Sequence, residues 1–364
     1  MYLVFRGGCS LMFRYRTGVL LAALFLLAAG IVDSSVQAQS NGQYVLEGDN
    51  VAIYNLAGTL RVEGGRGANV TVIVTLSGDD ADQVQIESGS VGGRSTLRII
   101  YPADRIVYSE AGRGSTTSLR VRRDGTWGGS SAGTRRVTIA GSGRGLEAHA
   151  DIVVTVPEGK KFSGYIGAGE IEAESISGGF VFDTGSGDVT VAGVSGSLLV
   201  DTGSGKVTVS DAQADVKIDT GSGRVNLSDV SGDEVLVDTG SGRVTGAEIS
   251  ADKLVIDTGS GNINISAVSG RDINLDTGSG SVEIQLLTDV DNMVIDTGSG
   301  RVTVRVPSNL SANIEIDVGS GGITIDVPIE YLKKQRRYVR GEIGNGNGRI
   351  YIDTGSGSVR IYPL

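Results

Sequence analysis

The sequence predicts an all-β fold, a parallel β-solenoid of right-handed β-helix type. Three observations predict it: a pentapeptide recurring at coil spacing, period-two alternation of apolar residues on both sides of it, and glycine that is periodic instead of diffuse. DTGSG begins at Asp183, Asp201, Asp219, Asp238, Asp257, Asp276, Asp296 and Asp353, with DVGSG at Asp317. From Asp183 to Asp317 successive starts lie 18, 18, 19, 19, 19, 20 and 21 residues apart, which is one supersecondary unit per repeat. Gly167-Ala168-Gly169 is a degenerate earlier copy.

Around each copy the apolar residues alternate: Leu198 and Val200 before the turn, Val207 and Val209 after it, and likewise Leu254, Ile256, Ile263 and Ile265 further on. Alternation at period two means half-buried strands. A second mark, Val194-Ser195-Gly196, Val230-Ser231-Gly232 and Val268-Ser269-Gly270, places another corner in each unit. One unit cannot bury its apolar face alone, so neighbours must stack into a continuous core with identical residues ~4.8 Å apart. Roughly ten such coils would make a rod about 50 Å long. No hexapeptide pattern marks a left-handed coil.

The chain holds 57 Gly against 5 Pro, and the glycine is interleaved with Val and Ile, so it is turn glycine and not linker. Turn glycines supply positive φ and let coils approach closely; Gly240→Ala should destabilise the stack if Gly240 has φ > 0.

Residues 1–38 read as a secretory signal peptide. Arg6, Arg14 and Arg16 precede an apolar run from Val19 to Ala29, too short to span a bilayer, which leads to Val36-Gln37-Ala38 and a new N-terminus at Gln39. Removing it takes away three Arg and one Asp, moving the formal charge from −10 to −12 and arguing against nucleic acid as a partner. Cys9, the sole cysteine, precedes the apolar run, so the exported chain has no thiol for disulfides, zinc or nucleophilic catalysis. No later stretch is apolar enough for a transmembrane helix. The expected location is periplasmic, cell-surface or extracellular.

Residues 39–160 form an irregular β region, with strands at Val51–Tyr54, Leu60–Val62, Val70–Val74 and Ile152–Val156. An Arg/Gly-rich excursion leaves the stack near 105–144. Residues 161–364 are the regular solenoid, interrupted near 331–347 by a short helix or loop carrying Lys333, Lys334, Arg336, Arg337 and Arg340.

Apolar residues followed by Asp-Thr-Gly-Ser also occur in aspartic proteases, where two such loops pair their carboxylates. Copies at coil spacing cannot meet as a dyad, so the Asp residues are read as a structural ladder, each accepting backbone N–H bonds to close its own turn. Stacked carboxylates repel by about 1 kcal/mol per neighbour in water. Calcium between coils is an alternative source of relief, although the GGxGxDx nonapeptide is missing. Thr184 and its equivalents should point opposite to the Asp and stack as an inward or corner Thr ladder. Thr190, Thr208, Asn226, Thr245, Asn264, Glu283, Thr303, Thr324 and Arg360 form a polar stripe along the coils.

No catalytic residues and no metal set are assigned. His149, the only histidine, reads as structural or solvated. Arg120, Arg122, Arg123, Arg135 and Arg136 around Trp127 are the candidate grip for an anionic glycan or phosphate headgroup.

Asn55-Leu56-Ala57-Gly58, Val156-Pro157-Glu158-Gly159 and the repeated G-S-G-x-V-x-V and V-S-G units resemble the bacterial adhesin-like family of β-strand-repeat proteins, largely of unknown function. The resemblance implies a β-solenoid and surface adhesion, and carries over no catalytic residues. The expected function is an exported, non-catalytic surface or envelope scaffold. The alternatives are a glycan-binding or glycan-cleaving module, and a calcium-stabilised spacer. Partners would be a surface glycan or protein; an exposed terminal coil could pair end to end with another chain, and the sequence does not set the oligomeric state.

Overall fold

The structure, a computed structural model, describes residues 40–128 and 133–364. The expected signal peptide, with Cys9 and the cleavage after Ala38, lies outside the described residues. The protein is a parallel β-solenoid. Its regular part is a set of long bent strands, Ile171–Ser186, Val189–Thr202, Val207–Thr220, Val225–Thr239, Val244–Thr258 and Ile263–Thr277, each one coil. Each pairs in parallel with the next, Asp on Asp and Thr on Thr. Repeat length grows from 18 to 19 residues after Asp219, and a register shift between Gln213 and Val216 absorbs the extra residue.

Each of these coils bends at an equivalent residue with φ between 52° and 69°: Ser175, Gly193, Asp211, Asp229, Glu248 and Ala267. The apolar residue after each bend, as at Val194, Val230 and Val268, is buried, so the second corner falls where the V-S-G marks place it. Val, Ile and Leu fill the interior. Three phenylalanines, Phe162, Phe180 and Phe182, pack at 6.1–6.4 Å near one end of the array.

Stacking order departs from chain order at both ends. The strand Asn50–Ala57 is held between Arg94–Ile100 and Lys160–Ala168. Likewise Gly348–Thr354 slots between Asn292–Thr297 and Ala312–Val318, and Val359–Pro363 between Val302–Val306 and Ile323–Ile325. Asp353 therefore sits between Asp296 and Asp317, and Arg360 between Thr303 and Thr324, so both columns run unbroken.

The interruption near 331–347, expected to be a helix or loop, is instead two antiparallel strands. Glu330–Lys334 pairs with Tyr338–Ile343, which pairs with Ala312–Val318. At the other end Ser40–Leu46 caps Val70–Ser77, and Gln85–Val91 caps Arg94–Ile100, both antiparallel. Bare parallel coils are thus not what these edges present. The exposed Lys333 and Lys334 on the outermost strand add charge that discourages edge pairing. The Arg/Gly-rich excursion is a separate sheet of Arg105–Val107, Thr134–Ala140 and Thr116–Arg122.

Candidate functional site

The GSG turns show how two adjacent side chains divide their work. Thr alternates inward from its Asp neighbour, and Thr239, Thr258, Thr277, Thr297 and Thr354 are fully buried. Each accepts the N–H of the second turn glycine at 3.0 Å, for example Gly261 on Thr258 and Gly280 on Thr277. Each hydroxyl also donates to the matching glycine carbonyl of the neighbouring coil, at 2.8 Å for Thr277 on Gly261. The inward Thr ladder is as expected. The turn cap is not: it is the Thr hydroxyl, and among the described residues no ladder Asp accepts a bond from its own turn.

Asp183, Asp201, Asp219, Asp238, Asp257, Asp276, Asp296, Asp353 and Asp317 instead form one outward column. Burial first, then repulsion from Asp201, pushes the Asp183 carboxyl up to about 6. Burial, then repulsion from neighbouring column carboxylates, raises Asp201, Asp276 and Asp296 as well. Tyr351 donates to Asp353 at 3.2 Å. Among the described residues no group of three or more His, Cys, Asp or Glu side chains is placed to hold a metal ion.

The column continues past Asp183 as tyrosine, with Tyr165 in register with Asp183 and Tyr54 in register with Tyr165. The two rings stack at 4.5 Å and 2°. Trp127 closes on them edge-on at 5.3 and 6.3 Å. Arg94 ties the pair together, donating to Tyr54 Oη at 2.7 Å and Tyr165 Oη at 3.1 Å. Its guanidinium lies 5.6 Å from the Tyr165 centroid. Sequence reading missed this clamp, although Tyr165 stands 18 residues before Asp183, one repeat length, which was a usable signal.

The arginine excursion does not converge on Trp127, because that ring is buried against the tyrosines. Arg135 bonds Asp104 and the Tyr101 carbonyl. Arg122 bonds Thr126 and the Gly128 carbonyl. Arg120 and Arg136 are cross-strand neighbours, and Arg136 is exposed. What they present is a like-charged pair without its aromatic partner. His149 lies 5.2 Å from the Tyr108 ring and 3.7 Å from Asp151. Among the described residues no helix is long and apolar enough to cross a membrane.

A family profile, Toastrack DUF4097, matches residues 138–362. Comparison with curated proteins finds no match. Among solved structures the chain is similar to the crystal structure of a candidate cell adhesion protein from Clostridium sporogenes. That similarity is 12% in identity with a TM-score of 0.19, over 90% of this chain and 100% of the other.

Proposed function

The chain belongs to the Toastrack DUF4097 family, and from that premise we propose that it is an exported, non-catalytic scaffold of the bacterial surface or envelope, acting as an adhesin-like spacer. The observation that carries this reading is the unbroken column from Asp183 to Asp317, with its buried Thr column beside it. Chemistry on a substrate needs an acid, a base and a positioning group converging on one point. Here every DTGSG coil offers the same carboxylate and the same hydroxyl at the same place, and from Thr239 onward that hydroxyl is spent on holding turns together. Repetition of this kind builds length and stiffness. Residues 1–38 would direct export.

The test is antibody labelling of intact and permeabilised cells, paired with attachment of a deletion strain to a glycan-coated surface. Labelling of intact cells with reduced attachment after deletion supports the reading. Labelling that needs permeabilisation, with attachment unchanged, removes the adhesive part and leaves an internal envelope scaffold. Cytoplasmic retention removes both.

A further inference from the structure

Beside the Tyr54–Tyr165 clamp the outer face of the stack is dented. Past Asn50 and Lys161, the coil positions that line the dent carry Ser163, Gly179 and Ser197, too small to fill the face. A Cβ built on Gly179 would meet nothing closer than the Ser197 hydroxyl at 3.4 Å. The result is a depression of about 630 Å³ spanning several coils. Val181 and Leu199, in register with each other and half-buried, form its apolar floor. Lys217 and Leu236 continue that floor in the same column.

The rim is cationic where the column beside it is acidic. Arg94 is held only by the two phenol hydroxyls and their rings, and among the described residues neither it, Lys161 nor Lys217 forms an ion pair. Acids are present at the far side but already engaged. Asp215 accepts the N–H groups of Asp233 and Glu234 at 3.0 and 3.1 Å, and Glu234 pairs with Lys253 at 2.7 Å. A guanidinium fixed by neutral partners keeps its full charge for a ligand, and a planar fork suits a carboxylate.

We propose that this depression binds an acidic oligosaccharide, one carboxylate facing Arg94 and Lys161, a second facing Lys217 further along the stack, and the apolar face of the ring between them lying on Val181 and Leu199. Ser163 and Ser197 hydroxyls and the outer oxygens of Asp215 and Glu234 are the partners for its hydroxyl groups. An acyl chain would leave those polar groups without use, so the mixed lining favours a sugar acid. The inference deepens the surface-scaffold reading and depends on it only for where such a saccharide is met. It also places recognition on the stack and away from the Arg120 and Arg136 pair.

Calorimetric titration of the exported chain with trigalacturonate and with its methyl ester, at about 20 and about 150 mM salt, tests it. The acid should bind, more weakly at the higher salt, and the ester should bind roughly tenfold or more weakly. R94Q should lose a similar factor while R120S/R136S binds as the parent does. Because R94Q also loosens the tyrosine clamp, the variant K161Q/K217Q serves beside it and should weaken binding severalfold with unchanged melting. Failure of the acid to bind, equal binding of acid and ester, indifference to both sets of variants, or loss in R120S/R136S instead would each overturn the site. So would binding of sodium decanoate in place of the saccharide. Cell-surface labelling is unaffected by any of these results, so the site and the scaffold reading fail separately.

Discussion

The hydroxyl of Thr258 joins two coils: it accepts the N–H of Gly261 in its own turn at 3.0 Å and donates to the carbonyl of Gly242 in the neighbouring coil at 3.1 Å. Both backbone groups are inside the stack, where an unmade bond costs about 1–3 kcal/mol each. Thr258→Val keeps the shape and removes the bonds, so it should destabilise by roughly that amount, read by urea unfolding. Thr202 supplies the control, since its buried hydroxyl has no partner in the structure. Thr202→Val should be neutral or stabilising, and equal losses at both positions would mean that the hydroxyls contribute nothing specific.

Gly240 is needed for a reason other than backbone conformation. It has no left-handed φ, but a Cβ there would lie 2.5 Å from the Gly221 carbonyl oxygen of the coil below. Backbone cannot move aside as a side chain tip can, so Gly240→Ala should cost about 1–3 kcal/mol or more as overpacking. A Cβ on Gly322, by contrast, would meet nothing within 4 Å. Gly322→Ala should leave the melting temperature nearly unchanged, and similar melting of the two variants would rule out close coil approach as the reason for these glycines.

Much of this fold could be read from the chain because a solenoid writes its register into its repeat. The Asp and Thr of every DTGSG fall where the period-two pattern puts them, one outward and one buried. The order of stacking could not be read, because Gly348–Thr354 carries the same pattern wherever it is inserted, and only the strands Glu330–Lys334 and Tyr338–Ile343 reverse the chain so that it returns into the array. The turn cap is ambiguous in the sequence for a similar reason. Asp and Thr both can close a turn, and the choice depends on which one faces the neighbouring coil's carbonyl. The Tyr54, Tyr165 and Arg94 clamp joins residues far apart in sequence, and only the spacing of Tyr165 hinted at its column.

The bend of each coil stores strain where its residue is not glycine. Ala267 has φ 54° and Glu248 φ 56°, whereas Gly193 fills the equivalent place without a Cβ. A left-handed conformation costs an ordinary residue about 1–2 kcal/mol, part of which glycine returns through its freer unfolded chain. Ala267→Gly should therefore stabilise by up to about 1 kcal/mol, and Gly193→Ala should destabilise by a similar amount. Thermal unfolding of the two single variants decides this, and a fall in both would show that the bend residue is set by packing and not by backbone preference.

Asp183 sets the expected response to acid. Its carboxyl is pushed up to about 6 by burial beneath the column's tyrosine end and by Asp201, so the folded chain holds this proton more tightly than the unfolded chain, whose value is near 4. Stability then falls as pH rises, with the penalty absent below about pH 4, growing through the window to 6 and complete above it. Asp201, Asp276 and Asp296 are shifted in the same direction and add to the slope, weakened by solvent because they are more exposed. Melting at pH 5 should exceed melting at pH 7.5, Asp183→Asn should raise stability at pH 7.5 and flatten the dependence, and added sodium chloride should narrow the gap by screening the column. Calcium at matched ionic strength separates screening from binding: a further rise that EDTA reverses would mean that cations bridge neighbouring Asp side chains, and its absence would leave burial and repulsion within the column as the whole of the effect.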